Sequence, residues 1–198
     1  MEFRTVGGAD VQIDLVIVLH DIVVLCDAKC FLWAEDAIEF ADYRDKMVDA
    51  SLQVQKQLEV VRSDLGAFGR RVAETGHQLP ASPRILGCIL SNTATLVGIC
   101  VEGIPVIDMP LLEEYLLGQY VEREVWDGDR LVEQQSVQLY ENSLQAAERL
   151  ESFFMNPPQV QMIRRAAKSR EISVRLAPGR EGYFVCETFQ VALPEGAD

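Results

Sequence analysis

Histidine is scarce in this 198-residue chain: it has two, His20 and His77, far apart in sequence. Five cysteines (Cys26, Cys30, Cys88, Cys100, Cys186) are dispersed, and no four ligands fall at zinc-site spacing. A zinc centre is therefore disfavoured. The odd thiol count, mostly in apolar surroundings, argues against a disulfide framework and for buried thiols in a reducing cytosol. Positive charge is also sparse. Against 31 Asp and Glu there are 18 Lys and Arg, a net charge of −13 that disfavours tight, autonomous nucleic-acid binding. No apolar run reaches the roughly 20 residues a bilayer span needs. No charged start leads into an apolar stretch with a small-residue cleavage site, so a cytoplasmic, non-membrane protein is expected. Gly7-Gly8 lacks the spacing of a phosphate-binding glycine loop, and no nucleophile-elbow motif occurs. There is no internal repeat or low-complexity tract.

What is present is an ordinary globular balance, 48% hydrophobic and 25% charged. Val11 to Leu19 and Ile22 to Cys26 are apolar, β-branched runs separated by His20-Asp21, and they predict a hairpin of largely buried strands. From Met47 to Val72 apolar residues recur at helical spacing (Met47, Val54, Leu58, Val61, Leu65, Phe68, Val72), which predicts one long amphipathic helix. Ile85 to Leu90 and Leu96 to Val101 read as two more strands around the turn Ser91-Asn92-Thr93, with Val106-Ile107 as a short extension. Pro110 opens a helix over Leu111 to Leu117. Trp126-Asp127-Gly128-Asp129 looks like a hairpin tip, and Asn142-Ser143 caps a helix from Leu144 to Met155. A second helix is expected over Gln159 to Lys168, and a last hairpin pairs Ile172–Leu176 with Tyr183–Val191. The expected class is α/β (α+β): a mixed central sheet flanked by helices over residues 1–120, with a C-terminal helix-and-hairpin extension over 121–198 packed on the same domain.

The informative residues are the polar ones inside the first hairpin. If His20-Asp21 is the turn, paired residue numbers sum to 41, so Val16 faces Leu25 and Asp14 faces Asp27. Directly opposed residues have Cβ atoms about 5 Å apart. Alternation puts Lys29 on the face of Asp27. Two opposed carboxylates destabilise a strand pair unless something lies between them. A divalent cation such as Mg²⁺ or Mn²⁺ relieves the conflict, with the Ala28 carbonyl as a further ligand, and Lys29 then serves water or phosphate. Taken alone, Asp27-Ala28-Lys29 reads equally well as a solvated strand end.

The arrangement Ile13-Asp14-Leu15-Val16-Ile17, a short turn, then Val23-Val24-Leu25-Cys26-Asp27-Ala28-Lys29 resembles the PD-(D/E)XK restriction-endonuclease-like superfamily. Its nuclease-related-domain and Holliday-junction-resolvase-like branches are the nearest in pattern. The resemblance covers roughly residues 10–107. It implies a restriction-endonuclease-like core, with Asp14 and Asp27 as metal ligands and Lys29 as the catalytic lysine. It also implies a glutamine on the following helix, which Gln53 matches first and Gln57 second. The implied activity is Mg²⁺-dependent hydrolysis of DNA phosphodiesters. Two features depart from the family pattern. Asp27 stands where glutamate is commoner, and only thirteen residues precede Asp14 where the family usually begins with a helix, which reads as a piece of a longer parent chain.

Lys56, Arg62, Arg164, Arg165 and Lys168 are the candidate phosphate contacts, with solvated helix faces as the plainer reading. Charge is uneven: residues 156–198 carry a net +1, and the strongest acidity lies elsewhere. DNA binding by this chain alone is expected to be weak and strongly salt-dependent. A nuclease-fold module without turnover, acting in interaction or regulation, is the alternative function. A homodimer resting on the apolar content of the tail is a third expectation.

Overall fold

The computed structural model describes residues 1–4, 8, 10–31, 37–94, 96–161, 167–177 and 180–189. Two compact units divide the chain, Met1–Met155 and Asn156–Asp198. The first unit is a mixed α+β fold around a five-stranded sheet. Its elements run β1 (Glu2–Arg4), β2 (Asp10–Gln12), β3 (Leu15–Leu19), β4 (Ile22–Lys29), α1 (Ala37–Ser63), α2 (Leu65–Ala73), β5 (Arg84–Ser91), β6 (Cys100–Val101), β7 (Ile104–Asp108), α3 (Met109–Leu117), β8 (Gln119–Asp127), β9 (Arg130–Gln138) and α4 (Ser143–Met155).

The central sheet has the order β3-β4-β5-β7-β6. Strands β4, β5 and β7 run parallel, while β3 and β6 are antiparallel edges. The hairpin register is the expected one: Leu19 pairs with Ile22 and Val16 with Leu25. The expected single strand Val11–Leu19, however, is broken. It forms β2 and β3 with Ile13-Asp14 between them, and β2 pairs with β1 instead.

Alternation along β4 sends odd and even residues into different cores. Val23 and Leu25 join Ile85, Ile89 and Val106 beneath α1, where Met47, Ala50, Val54, Leu58 and Val61 form its buried stripe. Ile22, Val24 and Cys26 join Cys88, Leu90 and Ile107 on the other face, covered by α3 and by Ala147, Leu150, Phe153 and Phe154 of α4. Strand β4 is thus buried on both sides, as its unbroken apolar run requires. Because α4 supplies Ala147, Leu150, Phe153 and Phe154 to the second core, residues 121–155 belong to the first compact unit; the boundary falls after Met155, beyond the expected one at residue 120.

Three expectations change for local reasons. The long helix starts ten residues earlier than Met47 and breaks at Asp64, whose carboxylate accepts the Ala67 amide hydrogen at 3.0 Å and so caps a separate α2. Of the expected strand Leu96–Val101 only its end, Cys100–Val101, is strand (β6). A turn occupies residues 96–98, and the tight hairpin lies later, at Glu102-Gly103, both with positive φ (49° and 80°). Val106-Ile107 consequently belongs to a full strand, β7, parallel to β5. Helix α3 is capped by Asp108, with Pro110 in its first turn, and Asn142 caps α4 by accepting from Gln145 N–H at 3.0 Å.

Strands β8 and β9 pair around Gly128-Asp129, as the hairpin tip implies. In the second unit β10 (Ala167–Ala177) pairs antiparallel with β11 (Arg180–Phe189), a longer hairpin than expected. The helix expected to reach Lys168 does not: a helical turn covers 158–161, residues 162–166 lie outside the described set, and Lys168 pairs with Thr188 in β10. Among the described residues, no helix is long and apolar enough to cross a membrane.

Helix α1 lies close to the sheet at Gly87. A Cβ there would meet Val54 Cγ1 at 2.4 Å and Leu58 Cδ1 at 3.1 Å. Gly87→Ala is therefore expected to destabilise the first unit by about 1–3 kcal/mol through overpacking. Val54→Ala in the same chain should recover part of that loss. Urea-unfolding midpoints of the two single variants and the double variant measure both effects.

Candidate functional site

The site forms where the C-terminal end of β4 meets the bend before β3. Asp14 lies one residue outside the β3–β4 ladder, so it does not pair with Asp27 as a strand residue. Its side chain does the pairing instead. Asp14 Oδ2 accepts the Ala28 amide hydrogen at 2.9 Å, and Oδ1 accepts from Gln12 Nε2 at 3.2 Å. In an extended strand a residue's N–H and C=O leave by the same edge, so the Ala28 carbonyl is directed toward the Asp14 side as well.

Asp27 faces α1 with the odd-numbered residues of β4 and has 0% of its surface exposed. Lys29 Nζ lies 2.7 Å from Asp27 Oδ2, an ion-pair contact that lacks hydrogen-bond alignment, since neither Asp27 oxygen has a hydrogen-bond partner among the described residues. Oδ1 is buried and, among the described residues, unmet. Burial raises the Asp27 pKa; Lys29 opposes the rise by its hydrogen-bonding proximity and its charge, and the Asp14 carboxylate adds to it. Lys29 also donates to Gln53 Oε1 of α1 at 3.4 Å. The structure thus brings Asp14, Asp27, Ala28, Lys29 and Gln53 together from three elements.

The other named residues take different places. Gln57 is fully buried and donates to the Gln12 carbonyl at 2.7 Å, tying α1 to β2 away from Lys29. Lys56 is exposed on α1, one turn beyond Gln53. Arg62 donates to the Ile85 carbonyl at 2.8 Å. Strand β7 meets β5 only from Ile89 onward, so among the described residues Arg62 serves the part of β5 that lacks a strand neighbour on that side. Arg164 and Arg165 lie outside the described residues. Lys168 is a strand residue of the other unit. His20 adopts a left-handed φ of 53° in the β3–β4 turn, in keeping with a turn role.

Asn92 was not among the expected site residues. Its Oδ1 accepts the Phe31 amide hydrogen at 2.8 Å, its Nδ2 donates to the Phe31 carbonyl at 3.0 Å, and its backbone N–H donates to the Lys29 carbonyl at 3.3 Å. It clamps the chain just past Lys29. The only sequence signal was its place in Ser91-Asn92-Thr93, which reads equally as a turn.

Among the described residues no three His, Cys, Asp or Glu side chains gather to hold a metal ion. The donor set is two carboxylates and a backbone carbonyl. It fits a hard cation such as Mg²⁺, which takes one or two carboxylates and completes its shell with water. The unmet Asp27 Oδ1 is the observation that favours the fit. The chain matches no family model, no curated protein and no solved structure.

The raised Asp27 pKa carries a sign. The folded state holds the Asp27 proton more tightly than the unfolded chain, so this group stabilises the fold most below the unfolded value of 3.8. That contribution is lost as pH rises through the higher folded pKa. In metal-free protein, Asp27→Asn should therefore raise the melting temperature at pH 7, and the advantage should shrink as pH falls toward 3.8. Calorimetric melting of both proteins across that range is the check. An advantage that grows toward acid pH contradicts the assignment.

Proposed function

We propose that this chain is a metal-dependent nuclease domain of the PD-(D/E)XK type, hydrolysing DNA phosphodiester bonds. The observation that carries the reading is the buried Asp27 carboxylate, ion-paired to Lys29 and beside Asp14, at the C-terminal end of a parallel strand. Functional groups collect at that end of parallel sheets. The order of hairpin, long helix and parallel strand supports a restriction-endonuclease-like core. In this reading Asp14, Asp27 and the Ala28 carbonyl hold Mg²⁺ or Mn²⁺. When bound, the cation supplies neutralising charge to the phosphate and acidifies water. Lys29, held between Asp27 and Gln53, positions the attacking water and offsets charge that builds on the phosphorus oxygens. Gln53 keeps the Lys29 ammonium in place. Lys56, on the same helix, meets backbone phosphate. The free thiols Cys26, Cys30, Cys88 and Cys100 suit a reducing, cytoplasmic setting.

One observation favours a second reading. The Lys29 ammonium already occupies Asp27 Oδ2, and among the described residues only two carboxylates contribute. A nuclease-fold module without turnover, acting through a parent chain or partner, would have this internal ion pair in place of a cation.

Nicking of supercoiled plasmid with Mg²⁺ or Mn²⁺ separates the two. On the nuclease reading, Asp27→Asn and Lys29→Ala each lower the rate by about 100-fold or more, and Gln53→Ala lowers it less. Calorimetry should show Mn²⁺ binding that Asp14→Asn abolishes. Undiminished nicking by Lys29→Ala, or no Mn²⁺ binding by the unmodified chain, overturns it.

A further inference from the structure

Two cysteines lie side by side on β4 and β5. Cys26 and Cys88 are direct partners in the parallel ladder, although they stand 62 positions apart in the chain. Cys88 Sγ donates to Cys26 Sγ at 3.2 Å. Both are free thiols with 0% of their surface exposed. They belong to the core on the face away from Asp27, with Leu90, Ile107, Leu111, Leu150 and Phe154.

Two thiols in contact can pack, hold a soft metal ion or join. A metal ion requires thiolates and further donors. The buried residues around this pair are hydrocarbon apart from the Tyr115 hydroxyl, which donates to the Ala146 carbonyl. Among the described residues no third His, Cys, Asp or Glu gathers there. A disulfide has neither charge nor S–H donor and so suits an apolar core. Adjacent strands lie about 4.8 Å apart, within the roughly 4.4–6.8 Å between Cα atoms that a disulfide spans. The sulfurs need to close from 3.2 Å to about 2.05 Å.

We propose that Cys26 and Cys88 are a site of reversible oxidation, where hydrogen peroxide converts the two thiols into a disulfide that joins β4 to β5. One sulfur attacks a peroxide oxygen, the O–O bond breaks, and the thiol proton leaves with the released hydroxide as water. The sulfenic acid formed is already in contact with the second thiol. That sulfur attacks, the S–S bond forms as the S–O bond breaks, and the second proton leaves in a second water. Two thiols and one peroxide thus give one disulfide and two waters. The ladder makes the second step intramolecular, so it outruns further oxidation to sulfinic acid. Peroxide is small and uncharged, and it enters when the covering helices open locally. The exposed Cys30 and Cys100 react sooner, but Cys100 faces Pro105 in its ladder and Cys30 lies beyond the end of β4. The bond forms whether or not Asp27 holds a cation.

The test is peptide mapping of the full chain after exposure to hydrogen peroxide in native buffer. Remaining thiols are alkylated in denaturant, and links are read by fragment-ion sequencing. A Cys26–Cys88 link is expected, at least about tenfold more abundant than any other cysteine pair, because the ladder holds these two sulfurs in contact. Dithiothreitol should return both thiols. Cys88→Ala should abolish the link and leave Cys26 as sulfinic acid. The proposal is overturned if Cys26 and Cys88 both remain alkylatable long after Cys30 and Cys100 are oxidised. It is equally overturned if the two link to other cysteines as often as to each other, or link only in denaturant.

Discussion

The structure depends on a single uncomfortable group, the Asp27 carboxylate. Strand β4 is the second of five, buried on both faces, and its pleat allows Asp27 no direction other than the core beneath α1. Removing a carboxylate from water costs several kcal/mol unless it is well compensated. Here compensation is partial. Lys29, two residues on along the same face, reaches one oxygen, and the other has no partner among the described residues. Like charge at Asp14 adds to the strain. The other residues on this face of β4, Val23 and Leu25, are apolar.

Much of the surrounding architecture holds that group where it is. Asp14 leaves the ladder so that its side chain takes the Ala28 amide hydrogen, which keeps a carboxylate beside the end of β4 without making it a strand residue. Asn92, from the end of the neighbouring strand, clamps Phe31 and thereby the chain after Lys29. Helix α1 comes close enough for Gln53 to reach Lys29, because Gly87 leaves room for Val54 and Leu58 at the centre of the contact. Gln57, one turn further, fastens the same helix to β2. The cluster is therefore built on rigid elements, which is what either catalysis or a fixed binding surface requires.

The first hairpin was the most legible part of the fold. Its register follows from a two-residue turn and the period of two, which leaves few alternatives once one face is apolar. Residues Asp14, Asp27 and Lys29 could be brought together on that basis alone. The second strand pair was misread because Ser91-Asn92-Thr93 looks like a hairpin turn, whereas the chain makes its hairpin at Glu102-Gly103 and uses Asn92 as a clamp. The break at Asp64 was also hidden, because the apolar period continues across it from Leu58 and Val61 to Phe68 and Val72. Arg62 had the composition of a phosphate contact, but a gap in the sheet beside β5 gives it a carbonyl to serve.

Short-range chemistry in the sequence was enough to determine the mixed sheet with its covering helices, the β3–β4 register and the convergence of two acids with a lysine. These depend on turn geometry, side-chain alternation and hydrophobic period, all properties of neighbours along the chain. Tertiary structure alone decided that Asp27 is buried while Asp14 is exposed, that Gln53 and not Gln57 meets Lys29, and that β3 is an end strand of the central sheet. Those outcomes turn on which strands become neighbours and how closely α1 approaches them. Desolvation and strand order arise from the packing of segments distant in sequence, so no local pattern encodes them.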